Sequence, residues 1–141
     1  MSKKSAKSLK PVQENEIPFD SPRGWIFTHM DQVSNAIHYG YTASANNSLT
    51  DVRLLRITDI QNNRVNWETV PGYEIDTHKL NSYALNNNDL LIALKGGTIG
   101  KSYLAENLTL KAVFASYLIR IVPNNLIFPK YLKLYADSSL Y

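Results

Sequence analysis

The sequence predicts an α+β fold: a single small mixed domain with a twisted, antiparallel-rich sheet, a glycine-loop hairpin and short flanking helices. Three observations lead to this prediction. Short β-type runs are bounded by Asn and Gly clusters, other short segments carry helical spacing or a helix start signal, and a glycine loop separates two apolar runs. The length of 141 residues, with 44% hydrophobic residues, suits one hydrophobic core.

The elements predicted in the first half of the chain are short. Apolar residues at helical spacing predict a short helix from Asp31 to Ile37, and the aromatic segment Trp25-Ile26-Phe27 is expected to anchor the domain edge in the core. Residues 52–57 form a β-type run. A polar turn from Asp59 to Arg64 then leads into a second extended piece at residues 65–67.

The second half carries the strongest strand signals. Residues 79–85 are expected to be helical, with Asn86-Asn87-Asn88 as the stop. The apolar run from Asp89 to Leu94 predicts a strand, and Ala112 to Val122 is the longest β-type run in the chain. Pro129 predicts the start of a helix because proline is favoured at the first helical position.

The glycine loop between the two apolar runs, residues 95–101, has features of a binding surface. Its glycines let the main chain turn and approach a ligand closely, and the flanking Lys95 and Lys101 add positive charge, so the loop can present amides and ammonium groups to phosphate. An ordinary hairpin turn with solvated lysines explains the same residues equally well. A Walker A phosphate loop is excluded, because the position that needs its first glycine, five before Gly100, is Lys95.

The same region carries a family resemblance. The run Asp89-Leu90-Leu91-Ile92-Ala93, followed after two residues by Gly96-Gly97-Thr98-Ile99-Gly100-Lys101, resembles the target recognition domain of type I restriction-modification specificity subunits. Further blocks continue the resemblance in order over about residues 17 to 141: Ile17-Pro18-Phe19, Gly24-Trp25, Tyr39-Gly40-Tyr41-Thr42, Leu55 to Ile60, Ala112 to Ser116, Arg120-Ile121, Pro129 and Tyr131-Leu132.

Two departures from the family pattern affect what the resemblance implies. Asn88 stands where the family usually has glycine, a mild change because asparagine also tolerates the left-handed region. The family's long spacer helix would follow the recognition domain, and this sequence stops at Tyr141. The expected organisation is therefore a mobile basic tail or linker over residues 1–16 and a recognition domain over residues 17–141 that lacks the spacer helix.

The resemblance implies a non-catalytic, sequence-specific DNA-binding module in the cytoplasm. Such a module would recognise one half of a split target in double-stranded DNA and direct methylation and cleavage by separate modification and restriction subunits. The expected contacts are to bases from Thr42–Asn47 and Gln61–Arg64, and to phosphates from Lys101, Lys95 and Arg120, since Asn and Gln pair with adenine and Arg or Lys with guanine or phosphate. The candidate DNA-contacting residues are Thr42, Ser44, Asn46, Asn47, Arg56, Gln61, Asn62, Asn63, Arg64, Lys95, Thr98, Lys101 and Arg120.

The distribution of charge agrees with a local binding face. The net charge is +3, but residues 1–10 hold four lysines and no acid, so residues 11–141 carry 11 basic and 12 acidic side chains and a net charge of −1. From Lys95 onward, the sequence contains six basic residues and two acidic ones. A basic patch on one side of the domain is therefore plausible, although an ordinary solvated surface has the same composition.

Other classes of function have little support in the sequence. The chain has no cysteine, its three histidines lie far apart, and it lacks the glycine-rich cofactor loop and catalytic tetrapeptide of a methyltransferase, so no metal site, cofactor or catalytic group is predicted. No export signal and no apolar run of membrane-spanning length occur. The alternative is a protein-interaction module with no specific DNA readout, whose docking surface would comprise Tyr117, Tyr131, Leu134 and Tyr135.

Overall fold

Eight short strands and two α-helices form the part of the chain that the computed structural model describes, namely residues 12–17, 20, 22–41, 51–73, 75–93 and 101–137. The first 11 residues of the predicted tail lie outside this part. The elements are β1 (Ser34–Tyr39), β2 (Val52–Leu55), β3 (Ile60–Gln61), β4 (Arg64–Val65), α1 (Thr77–Tyr83), β5 (Leu90–Ala93), β6 (Ser102–Leu104), β7 (Lys111–Phe114), β8 (Leu118–Pro123) and α2 (Pro129–Ala136).

The strands form one antiparallel sheet and two strand pairs. The sheet has the order β1-β8-β5-β6. Strands β2 and β7 form a parallel pair, and β3 and β4 form an antiparallel hairpin. The predicted α+β class, with an antiparallel-rich sheet and short helices, is confirmed.

Strand β5 lies at the centre of the core because all four of its side chains are buried. Leu91 and Ala93 pack in the hydrophobic cluster that contains Phe114, on the side of the β2-β7 pair. Leu90 and Ile92 pack in a separate cluster with Leu132 and Ala136 of α2. Each large apolar side chain buried in this way contributes about 1.5–3 kcal/mol. The four-stranded sheet is thus covered on one side by β2-β7 and on the other by α2.

The two helices begin and end where local chemistry dictates. The Asp76 carboxylate accepts a hydrogen bond from the His78 amide at 3.0 Å and so caps α1. The helix begins at Thr77, two residues before the predicted start. Pro129 occupies the first turn of α2, as predicted, and Leu132 and Ala136, four residues apart, bury one stripe of that helix. Asn88 adopts a φ of 77°, the left-handed conformation expected of a residue that replaces glycine.

Three local predictions were wrong. Residues 31–37 form a 3₁₀ turn, Met30–Val33, followed by β1, because hydrogen bonding to β8 outweighs the weak helical spacing. Of the aromatic pair Trp25 and Phe27, which was expected to anchor the domain edge in the core, Trp25 is 57% exposed and Phe27 is only partly buried. The run from Ala112 to Val122 forms two strands, β7 and β8, which are separated by a turn at Ala115–Tyr117 that contains neither glycine nor proline.

Candidate functional site

The strand registers bring the ends of several segments to one end of the domain. Ala93, the last residue of β5, pairs with Leu118, the first residue of β8. The Gly40 amide donates to the Leu118 carbonyl at 3.1 Å, so the chain beyond β1 also leaves here. The Ala115 amide donates to the Leu55 carbonyl at 2.8 Å, which places the end of β2 at the same position.

We call this region the loop end. Four segments begin at it: residues 42–50 after β1, residues 56–65 after β2, residues 94–100 after β5, and the turn Ala115–Tyr117 before β8. Three of these segments hold every sequence-predicted base-contacting residue and Lys95, and Lys101 directly follows segment 94–100. The sequence predictions for Thr42, Ser44, Asn46, Asn47, Lys95 and Thr98 lie outside the described residues.

The hairpin of β3 and β4 projects four exposed side chains. Asn62 and Asn63 form its two-residue turn, both with positive φ, at 54° and 61°, which matches the twist of a tight hairpin and suits asparagine. Ile60 is fully buried and pairs with Val65. Because side chains alternate along a strand, the neighbouring pair Gln61 and Arg64 points to the other side, and both are exposed together with the turn asparagines.

The base of the hairpin is held by three polar contacts. Arg56 binds Asp59 through both its terminal and its ε nitrogens, at 3.0 and 3.1 Å, and this hydrogen bonding raises the pKa of Arg56. The Arg53 guanidinium donates to the carbonyls of Trp67 and Val70. The Trp67 indole donates to the Tyr103 hydroxyl at 3.2 Å. The exposed tip therefore stands on an ordered base.

Arg56 occupies a different position from the other hairpin residues. The sequence suggested that one of Arg53 and Arg56 would pair with a neighbouring aspartate, and Arg56 does so. Its side chain is 43% exposed, so one edge of the guanidinium faces solvent while the other binds Asp59. Its expected contact with DNA stays a prediction.

Asn63 connects the hairpin to the glycine-loop segment. Its side-chain oxygen accepts a hydrogen bond from the Ser102 amide at 3.4 Å. Lys101, the residue before Ser102, is half-buried. Its carbonyl accepts a hydrogen bond from the Ala93 amide at 3.0 Å, so the residues that flank segment 94–100 are bonded to each other. The predicted base-contacting hairpin and the predicted phosphate-contacting lysine are thus neighbours in space although 38 residues separate Asn63 from Lys101.

The structure corrects the assignment of Arg120 as a phosphate contact. Arg120 is only 6% exposed, and its guanidinium lies 3.3 Å from the carboxylate of Asp89, which is 2% exposed. The guanidinium also donates to the carbonyls of Ser82 and Ala84 at the end of α1, and to Nε2 of His38 at 2.7 Å. A side chain enclosed in this way serves the interior of the domain, and we leave it out of the binding surface.

Burial determines the protonation behaviour of this internal cluster. It raises the pKa of Asp89, although hydrogen bonds from the Asn86 amide and Arg120 act in the opposite direction. Burial and the adjacent Arg120 charge lower the pKa of His38, which fits a neutral imidazole that accepts from the guanidinium. The cluster is an internal ion pair with a hydrogen-bonded histidine, so each of its charges depends on the other for compensation inside the domain.

Sequence reasoning did not identify Lys79 and Tyr41. The Lys79 ammonium donates to the Tyr41 hydroxyl at 3.0 Å and lies 4.9 Å from the centre of the same ring. Tyr41 in turn packs against the rings of Tyr73 and Tyr83, at 5.9 and 5.2 Å between centroids. This exposed cation stands beside the residue from which segment 42–50 departs. A lysine on a short helix gives no sequence signal for such a placement.

The residues of the alternative docking surface do not all share one element. Tyr131, Leu134 and Tyr135 are exposed on α2, where the Trp25 ring lies 6.1 Å from that of Tyr131. Tyr117 instead occupies the turn at the loop end. The exposed apolar surface of α2 is therefore continuous with the segment that precedes β1, whereas Tyr117 lies at the loop end.

In the part of the chain that the structure describes, no group of three or more His, Asp or Glu side chains is arranged to hold a metal ion. None of the helices there has the length and apolar character needed to cross a membrane.

The chain is similar to known proteins of type I restriction-modification systems, although no family model matches it. The chain is 30% identical over 93 residues to the type I restriction enzyme EcoAI specificity subunit of Escherichia coli. The aligned region covers 64% of this chain and 16% of that protein. The HsdS subunit of Thermoanaerobacter tengcongensis has a TM-score of 0.62 at 15% identity, over 85% of this chain and 29% of its own. A chain from a structural study of assembly and conformational transition in the type I R-M system has a TM-score of 0.63 at 16% identity, over 84% of this chain and 28% of its own.

These similarities confirm the resemblance to type I specificity subunits that the ordered sequence blocks indicated. The two solved structures share the fold of this chain, and the sequence similarity to the curated subunit extends over 93 residues. The chain spans 16% of the curated relative and 28–29% of the solved chains, so it corresponds to one part of proteins of that kind.

Proposed function

We propose, from its similarity to type I restriction enzyme specificity subunits, that this chain is a sequence-specific DNA-recognition module. It reads one half of a split target in double-stranded DNA in the cytoplasm. It carries no catalysis of its own, and it directs methylation and cleavage by partner modification and restriction subunits. The activity of a whole specificity subunit is part of this proposal, since the chain spans 16% of its curated relative.

The observation that carries the proposal is the convergence at the loop end. Segments 42–50, 56–65 and 94–100 are far apart in sequence, yet the registers of β1, β5 and β2 bring their ends together. Loops on a rigid scaffold are where binding residues concentrate. In sequence, segment 42–50 contains two asparagines, segment 56–65 contains arginine next to asparagine, and segment 94–100 contains Lys95, and side chains of these types read bases and phosphates in DNA.

The hairpin has the dimensions and chemistry for direct readout. A two-stranded β-ribbon fits the major groove, where asparagine and glutamine pair with adenine and arginine pairs with guanine. Gln61, Asn62, Asn63 and Arg64 are all exposed on such a ribbon. In the proposed complex, Gln61, Asn62 and Arg64 face base edges, while Asn63 holds the hairpin against Ser102 and Lys101 contacts the phosphate backbone beside it.

Selection of bound sequences from a random duplex pool tests the proposal. We expect the chain, alone or assembled with a modification subunit, to enrich a short asymmetric motif. A double variant, Gln61→Ala with Arg64→Ala, is expected to lose the preference at one or two positions of that motif, by about 1–3 kcal/mol for each lost base contact. A folded chain that enriches no motif in either format contradicts the proposed function.

Lys101→Ala separates phosphate contact from base contact. We expect this variant to bind all sequences more weakly and to reduce the slope of log K against log salt by about 1, because one phosphate contact and its counterion are lost. The matched control is Lys111→Ala, which removes the same charge from an exposed residue at the opposite end of β7. Equal salt slopes for Lys101→Ala and the wild type would exclude Lys101 from the interface.

A second candidate function rests on the exposed apolar surface of α2. Phe128, the N-cap residue of α2, is 82% exposed, and Leu134 on the helix is 68% exposed. Tyr131 and Tyr135 lie on the same helix. Surface of this kind is typical of protein contacts. It is compatible with DNA recognition, since a specificity module also has to meet its partner subunits. Absence of any enriched motif would make protein docking the principal function.

A further inference from the structure

The turn at Ala115–Tyr117 has an unusual backbone for the residue that it contains. Tyr117 has a φ of 73°, in the left-handed region where glycine and asparagine are common and aromatic residues are rare. Its side chain is nevertheless 53% exposed. A bulky residue in this conformation is costly for the fold, and such strained residues cluster at functional sites.

The scaffold holds the turn from both sides. The Ser116 amide donates to the Tyr41 carbonyl at 3.1 Å, and the Ala115 amide donates to the Leu55 carbonyl at 2.8 Å. On the other side, Leu118 begins β8 and accepts from the Gly40 amide. The backbone on either side of Tyr117 is therefore fixed by neighbours on β1 and β2, which fixes the direction in which the side chain leaves the main chain.

The turn lies at the loop end, where the segments proposed to read DNA begin. Its hydrogen-bonding neighbours are the residues at which segments 42–50 and 56–65 begin, and the next residue, Leu118, pairs with Ala93 at the start of segment 94–100. The described residues Tyr41, Leu55 and Ala93, which directly precede the three segments proposed to read DNA, therefore lie next to the turn. An aromatic ring offers a large contact area with few rotatable bonds, so little conformational entropy is lost when it binds.

We propose that Tyr117 is a DNA contact of the loop end, and that its ring packs against a base of the recognised half-site. This proposal rests on the proposed function and adds a specificity-determining residue to it. The ring supplies an apolar contact of the kind that aromatic side chains make with bases or with the methyl group of thymine. Lys101 and the β3-β4 hairpin, at the same end of the domain, supply the phosphate and base-edge contacts.

Two substitutions at one position distinguish the ring from the backbone. Tyr117→Gly removes the ring and also relieves the left-handed strain, so the variant is expected to stay folded, which a thermal melt checks. On the duplex enriched by the wild type, its affinity is expected to fall roughly 10-fold, within the range of one lost base-stacking contact. Tyr117→Phe keeps the ring and is expected to bind within about 2-fold of the wild type.

Salt dependence provides a second readout. The salt slope of Tyr117→Gly is expected to equal that of the wild type because no ion pair is lost, in contrast to Lys101→Ala. The matched control is Tyr131→Ala, which removes another half-exposed tyrosine, from α2, and is expected to leave DNA affinity unchanged.

The outcomes separate this proposal from the proposed function. Wild-type affinity in Tyr117→Gly overturns the role of Tyr117 and leaves DNA recognition intact. An equal loss of affinity in Tyr117→Phe and Tyr117→Gly assigns the contact to the hydroxyl and overturns the ring contact. If the wild type enriches no motif, the proposed function fails and the Tyr117 contact fails with it; loss of binding to a modification subunit in Tyr117→Gly would then assign the ring to a protein interface.

Discussion

Arg120→Leu is expected to lower the free energy of unfolding by about 3–5 kcal/mol, because removing one partner of a buried ion pair leaves the other charge uncompensated. The stranded group is Asp89, which is 2% exposed. The substitution also leaves the carbonyls of Ser82 and Ala84 at the end of α1 without their guanidinium donor. Chemical denaturation of the purified chain measures the effect.

The control for Arg120 is an arginine at the surface. Arg64→Leu removes the same functional group from the exposed hairpin and is expected to change the free energy of unfolding by no more than about 0.5 kcal/mol. Combining Arg120→Leu with Asp89→Leu is expected to recover part of the loss, since no charge then remains buried. A loss below about 1 kcal/mol for Arg120→Leu alone would contradict the structural role of the ion pair.

Features that depend on a few adjacent residues were predictable from the sequence. Pro129 starts a helix because its ring presets φ, and Asn88 adopts the left-handed region because its side chain tolerates it. Strands β2 and β5 followed from short apolar runs, with bounds that differ from the predicted ones by one or two residues. The α+β class depends mainly on such local signals.

Features that depend on distant pairing were not predictable in the same way. The turn at Ala115–Tyr117 lacks glycine and proline, so the apolar run around it was interpreted as one strand; contacts with Tyr41 and Leu55 impose the turn. Arg120 has no neighbour in sequence that reveals its burial, because its partner Asp89 lies 31 residues earlier. A basic residue within a strand gives the same sequence signal whether it faces solvent or an internal carboxylate.

The candidate site shows both kinds of information. The sequence located polar loops with residues capable of base and phosphate contact, and family resemblance gave them a function. It could not show that the loops begin at one end of the domain, because that depends on the registers of β1, β5 and β8. Nor did it favour Tyr117 over the tyrosines of α2, since its backbone conformation is imposed by the fold.

Gly40 connects the fold of the domain to the arrangement of its loops. A Cβ atom added at this position would lie 2.0 Å from the Ala115 carbonyl oxygen and 2.7 Å from that of Phe114, both main-chain atoms that cannot rotate away. To fit alanine, the main chain must move and weaken the hydrogen bonds from the Gly40 amide to Leu118 and from the Tyr41 amide to Phe114. Glycine is therefore required where β1 meets the end of β7.

Gly40→Ala is accordingly expected to lower the free energy of unfolding by at least about 2 kcal/mol, from overpacking together with two weakened backbone hydrogen bonds. Gly24→Ala is the matched control: Gly24 has a φ of 85° but nothing within 4 Å of an added Cβ, so only its backbone term is expected, about 1 kcal/mol. Because Gly40 fixes the start of segment 42–50 against the turn that carries Tyr117, DNA affinity is expected to fall in Gly40→Ala even where the variant is fully folded. Equal stability losses at the two glycines, with wild-type DNA affinity in both variants, would show that the close approach of β1 to Ala115 does not govern the binding surface.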